Sequence, residues 1–193
     1  MIVKSKMRKK PYQQKLEHLI GAILFLSLTF LQFHLFAIKS SDQANAFFID
    51  VPFIKQEKNL CGAASLAMVF KYWGKNTSQY SIAEEIYNKE KKGIESESLK
   101  SFSEENGFLA FMYEGELENI KENIEKGRPL IVAVSSETRS GFHYLVVVGF
   151  DESRSLIVMN DPYSKKMKEM KSEEFIDRWK NSKNWTLLVL PKQ

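Results

Sequence analysis

The stretch "QEKNLCGAASLAMVFKYWGK", residues 56–75, decides how the chain is read. From Gly62 to Trp73 it is built mostly of small, aliphatic and aromatic residues, with Ser65 and Lys71 as the exceptions. A run apolar nearly all round predicts a helix over residues 62–73 that is buried on every side. Gly74 supplies its stop. Gly62, Ala63 and Ala64 are small enough to let a neighbouring backbone come close. The only cysteine of the chain, Cys61, stands immediately before this helix. A thiol becomes a good nucleophile as the thiolate, and the positive end of a helix favours that form. Such sites lower a thiol pKa from about 8.5 to somewhere between roughly 3.5 and 7.5.

Upstream, "FFIDVPFI" (47–54) predicts an extended lead-in, because Pro52 cannot lie inside a helix. Downstream, Ser81 is expected to cap a second helix, "IAEEIYNK", and Ser96 or Ser98 a third that ends at Gly107. The Lys/Glu-rich run 84–104 reads as a solvated helix surface. "FLAFMY" (108–113) is strand-like, and "ELENIKENIEKG" (116–127) is an amphipathic helix closed by Gly127. The pattern then changes. "PLIVAVSS", "FHYLVVVGF", "SLIVMN" and "WTLLVLP" are β-rich, and "DESRS" (151–155) between the second and third is a hairpin turn signal. One more helix, "SEEFIDRWK", precedes the last strand. Trp73, Trp179 and Trp185 lie on apolar faces and are expected in the core. No internal repeat appears. The fold class is α+β, with an antiparallel sheet packed on the central buried helix.

A nucleophilic thiol needs a base, an orienting group for that base, and a donor for the oxyanion. Beyond residue 38 the chain has one histidine, His143, at the head of a β-patterned strand just after the loop "SETRSG". Asp161, in "VMNDPY", follows the strand that pairs with it across "DESRS". A hairpin centred near Ser153 makes His143 and Asp161 approximate cross-strand neighbours. A carboxylate there holds the imidazole tautomer and supports its charged form. Asp151 is the rival carboxylate, but it opens the turn and should lie far from His143. Gln56, five residues before Cys61, carries a side-chain amide that can join the Cys61 backbone N–H in an oxyanion hole.

At these residues the sequence resembles a family. "Q-x4-CGAASLAMVFKYWGK", then "HYLVVVGF", then "NDP", are similar to the bacteriocin-processing cysteine peptidases of the papain-like superfamily, which cleave leader peptides after a double glycine. The resemblance covers roughly residues 49–190. It implies a papain-like fold, with Cys61 as nucleophile, His143 as general base and acid, Asp161 as orienting carboxylate and Gln56 as oxyanion donor. It implies a peptide or protein substrate and neither metal nor organic cofactor. Many relatives are the N-terminal domain of an exporter ATPase and work on the cytoplasmic side; others stand alone. Position 60 is Leu, where relatives often carry an acidic or other polar residue. On the residues, three activities stay open: hydrolysis of a peptide or isopeptide-like amide, acyl transfer to an amine, and peptide binding without cleavage.

The totals agree with one domain and an extension. In 193 residues, apolar and charged fractions of 44% and 27% are those of a globular protein. One cysteine excludes an intramolecular disulfide, and no Cys/His spacing suits zinc. The net charge of +4 is misleading, because residues 1–38 carry Lys4, Lys6, Arg8, Lys9, Lys10 and Lys15 against Glu17, leaving −1 for the rest. A nucleic-acid-binding domain would carry its basic face on the folded part, so none is expected. Residues 19–38, "LIGAILFLSLTFLQFHLFAI", hold no formal charge over a length that can span a bilayer. The basic residues before them should stay cytoplasmic, placing everything after Ile38 outside. "ANA" (44–46) resembles a signal-peptidase site. The expected organisation is a basic tail (1–18), a transmembrane anchor or signal peptide (19–38), a linker (39–48) and a membrane-tethered or secreted peptidase domain (49–193).

Overall fold

The computed structural model describes residues 46–136 and 141–192. The basic tail, the hydrophobic segment 19–38 and residues 39–45 of the linker lie outside the described residues. Among the described residues no helix is long and apolar enough to cross a membrane.

The central helix α1 runs Cys61–Tyr72, and every residue from Cys61 to Phe70 is buried. Burying Leu66, Met68 and Phe70 contributes about 1.5–3 kcal/mol each relative to exposure. The helix closes at Trp73, and Gly74 turns left-handed at φ 85°. Two short helices follow, α2 (Gln79–Ile86) and α3 (Ser96–Glu105). Strand β2 (Phe108–Glu114) and helix α4 (Leu117–Glu125) lead into β3 (Leu130–Ser135), β4 (Phe142–Asp151) and β5 (Leu156–Asn160). After β6 (Lys168–Lys171) come α5 (Ser172–Trp179), a 3-10 turn (Lys180–Ser182) and β7 (Trp185–Pro191).

The strands form one antiparallel sheet in the order β2-β7-β3-β4-β5-β6. A strand at Ala46–Phe48, β1, pairs with the far half of β4, where Phe48 lies opposite Gly149. Any side chain at 149 would strike Phe48 and the Phe47 carbonyl, so glycine lets β1 dock. The expected sheet on one helix is only half of the packing. Tyr144, Val146 and Val148 share a core with α1, while Leu145, Val147 and Phe150 share a second core with Ile120 and Ile124 of α4 and Phe175 and Trp179 of α5. Cover on both faces explains why β3, β4 and β5 read as unbroken apolar runs instead of alternating ones.

Several local expectations shift. Residues 46–48, assigned to the linker, form β1. Ser81 does not cap α2. Ser78 does, accepting the Ser81 N–H at 3.0 Å in an extended conformation. Three residues earlier the same chemistry was on offer, and the first available cap won. Neither Ser96 nor Ser98 caps α3: its N-cap is Glu95, without a side-chain cap bond. The Glu95 carboxylate instead binds Asn88 and Lys91. The sequence reading missed β6, because "KEMK" offers a single buried residue, Met170, among charged edge positions. Trp179 is fully buried, whereas Trp73 and Trp185 are half-buried against the core.

Candidate active site

Cys61 is the first residue of α1 and not the residue before it. The chain reaches it through a turn closed by a Leu60 N–H to Glu57 C=O bond, with Asn59 left-handed at φ 65°. Asparagine tolerates that conformation better than most residues. Leu60 is the N-cap, and it supplies no side-chain cap. The first turn also lacks an acidic residue. The positive end of the helix is therefore not neutralised where the sulfur sits. The thiol is buried, with 5% exposure.

His143 lies on β4 opposite Val134 of β3. Its Nε2 meets Asp161 Oδ1 at 2.7 Å, and the ring is also hydrogen-bonded to Cys61. With Nε2 taken, Nδ1 is the nitrogen left for sulfur. The cross-strand estimate from the hairpin is two residues off. The β4–β5 ladder carries a bulge between Val147 and Gly149 and ends at Val146 opposite Asn160. Continued, that register puts Asp161 opposite Leu145, diagonal to His143. Diagonal neighbours remain within reach of a long side chain. Asp161 Oδ1 also accepts the Tyr163 N–H at 3.0 Å, while Oδ2 accepts Ser164 Oγ at 2.9 Å and Lys168 Nζ at 3.0 Å. The carboxylate is thus fixed before it orients anything.

The charges reinforce one another. Burial disfavours a charged His143, but hydrogen bonds to Asp161 and Cys61, with their negative charges, outweigh it and push the pKa up to about 9. Burial alone would raise Asp161, yet His143, Lys168 and Ser164 hold it well below the usual carboxylate range. At neutral pH the imidazolium is the favoured form. An imidazolium that the sulfur's negative charge stabilises stabilises that charge in return.

Gln56 reaches the site from the other side. Its backbone N–H donates to Pro162 C=O at 2.9 Å, which ties it to the Asp161 segment. Its carboxamide is held weakly, with Nε2 3.4 Å from the Glu57 carbonyl and Oε1 buried without a hydrogen bond. A half-turn about the last side-chain bond exchanges donor and acceptor.

Two cavities flank the cysteine and histidine. One, of about 280 Å³, is lined by Gln56, His143, Asp161, Tyr163, Lys168 and Arg178. The other, of about 390 Å³, is lined by Cys61, the 91–95 turn, Phe142 and Tyr144. Asn59 borders both. Gly62 lets Tyr144 and Ile94, which line the second, pack against the helix; a Cβ there would lie 3.3 and 3.4 Å from them. Ser96 Oγ and Tyr144 Oη are 2.8 Å apart and fix that wall. Part of the run read as a solvated helix surface is therefore a turn beside the cysteine. Sequence reasoning also missed Lys168, Ser164 and Tyr163. Their signal was only nearness to Asp161. Among the described residues no group of three or more His, Cys, Asp or Glu side chains could hold a metal.

Comparisons with known proteins bear on the family and the fold. A search of curated proteins finds no match. Among solved structures, the peptidase domain of Streptococcus ComA, described as a bi-functional ABC transporter involved in quorum sensing, is 24% identical with a TM-score of 0.62. The match covers 74% of this chain and 98% of that one. A C39-like peptidase from Bacillus anthracis is 15% identical with a TM-score of 0.65, over 77% and 99%. A double glycine motif protease from an AMS/PCAT transporter, solved in complex with its leader peptide, is 25% identical with a TM-score of 0.61, over 76% and 95%. The Peptidase_C39 like family matches residues 48–186, nearly all of the described domain, and the chain belongs to that family.

Proposed function

We propose that this protein is a cysteine peptidase that hydrolyses a peptide bond through Cys61, His143 and Asp161, with Gln56 as oxyanion donor. One observation carries the reading: a single imidazole bridges the thiol at an uncapped helix N-terminus and a buried carboxylate. The Cys61 thiolate attacks the scissile carbonyl carbon, and the carbonyl electrons move to oxygen. The Gln56 amide and the backbone N–H at the helix mouth bind that oxyanion. The intermediate collapses, the C–N bond breaks, and the His143 imidazolium gives its proton to the leaving amine. A thioester remains. His143, now neutral, takes a proton from water, whose oxygen attacks the thioester carbonyl. The C–S bond breaks, releasing the acid and restoring thiolate and imidazolium. Asp161 keeps the ring in one orientation throughout.

A peptide substrate is supported by the relative solved with its leader peptide. We place the domain outside the cytoplasmic membrane, tethered or secreted through residues 19–38, on the charge and length of that segment. Incubating the full-length chain with peptides carrying a double glycine tests the activity. Cleavage that Cys61→Ala abolishes is expected. Peptide binding of equal affinity in both proteins, without cleavage, would make the domain a binding module. Product joined to an added amine in place of free acid would make it an acyl transferase.

A further inference from the structure

Gln79 is a buried polar residue that takes no part in the chemistry above. It is the first residue of α2, next to the Ser78 cap. Its carboxamide makes two bonds to one short piece of chain. Oε1 accepts the Glu57 backbone N–H at 2.9 Å, and Nε2 donates to the Lys55 carbonyl at 2.9 Å. These are the two residues on either side of Gln56. From the opposite side, Pro162 C=O receives the Gln56 N–H. The backbone that carries Gln56 is therefore gripped at 55 and 57 by one side chain and at 56 by the segment after Asp161.

The segment has little else to hold it. It is neither helix nor strand, and the Gln56 side chain makes only the weak contact with Glu57. An oxyanion donor must lie about 2.7–3.1 Å from where the oxygen will be, so its carrier cannot drift. We propose that Gln79 is a positioning residue for the oxyanion donor, its carboxamide setting where Gln56 stands relative to Cys61. This rests on the peptidase reading. A residue that only stabilised the fold would use the same two bonds, so the test must ask whether Gln79 acts through Gln56.

The test is a double-mutant cycle on the full-length chain, with kcat and KM measured on a fluorogenic double-glycine peptide. Removing an oxyanion donor costs about 10²- to 10³-fold in kcat, and Gln56→Ala should fall in that range. Gln79→Ala should lower kcat about tenfold with KM within about twofold, since the loss is felt in the transition state. In the Gln56→Ala background the same change should cost less than about twofold. Gln79→Glu sets a carboxylate oxygen against the Lys55 carbonyl in place of the donor, so its kcat should be no higher than that of Gln79→Ala. The rate of Cys61 alkylation should be unchanged in all of them, because the thiol and its imidazole are untouched. Equal losses from Gln79→Ala in both backgrounds would overturn the proposal, as would a parallel fall in alkylation. Both outcomes would leave the peptidase reading standing. Absence of Cys61-dependent cleavage by the wild type would overturn both.

Discussion

The β4–β5 hairpin carries a carboxylate at each end, and the two are held in opposite ways. Asp151, at the turn, spends its bonds within three residues: it accepts from Ser153 Oγ at 2.7 Å, from the Arg154 N–H at 3.0 Å and from Arg154 Nε at 2.6 Å. Its pKa is lowered to about 2 by Ser153 and then Arg154, partners that any tight turn can supply. Asp161, at the open end, uses local partners on both oxygens and a distant one, His143, on Oδ1. A depressed pKa therefore does not separate the two. What separates them is that Asp151 closes a loop, while Asp161 is closed by a loop and spends what remains on an imidazole.

The largest effect that can break this comparison is Asp161→Ala. It should lower kcat/KM by about 10²- to 10⁴-fold, the range for losing an oriented general acid–base. Asp151→Ala should leave kcat/KM within about twofold and lower the midpoint of thermal unfolding, because only the turn is loosened. Comparable losses of activity from both would end the distinction. Lys168→Met is a smaller test. It removes a partly buried cation from Asp161 Oδ2, a contact of about 1 kcal/mol or less, so kcat/KM should fall by no more than about fivefold. An unchanged rate would mean that Ser164 and the Tyr163 N–H alone keep Asp161 aligned.

The gentlest probe is pH. The pKa of His143 is raised in the fold from 6.5 to about 9, so the stability it contributes is complete below about pH 6.5 and is lost as pH rises through about 9. Asp161 is held below its ordinary value, so its contribution is present above about pH 4 and fades only in strong acid. Because the pair also requires Cys61 to give up a proton that the unfolded thiol keeps until about pH 8.5, the unfolding midpoint should stay nearly level from about pH 6.5 to about 8.5 and drop above it, and His143→Ala should remove that drop. Thermal melts across this range check the sign, and a midpoint that rises with pH in wild type alone would contradict it.

Much of this arrangement was readable in the chain because the residues that carry it are scarce. One cysteine and one histidine beyond residue 38, each at the end of a strongly patterned element, leave few ways to build a nucleophile. The helix at 61–72 was legible from its apolar run, and the hairpin from "DESRS" between two such runs. What stayed hidden depends on contacts that pattern does not encode. The register at Asp161 turns on a one-residue bulge beside Gly149, and that glycine's reason is β1 docking on top of it. Gln79 looks like any polar residue after a serine until the 55–57 segment folds onto it. Lys91 to Glu95 looked like a solvated surface, because charge composition does not reveal that a turn borders a cleft. Pairing of β6 is invisible in "KEMK" for the same reason.

The central claim is that Cys61 and His143 form an ion pair, and the lone thiol makes it directly measurable. The rate of iodoacetamide alkylation of the full-length chain should be followed against pH, beside His143→Ala. The account predicts rapid alkylation well below pH 8 in the wild type, and loss of that reactivity without His143. A thiol that titrates near 8.5 in both proteins, or that resists alkylation in the folded wild type throughout, would contradict it.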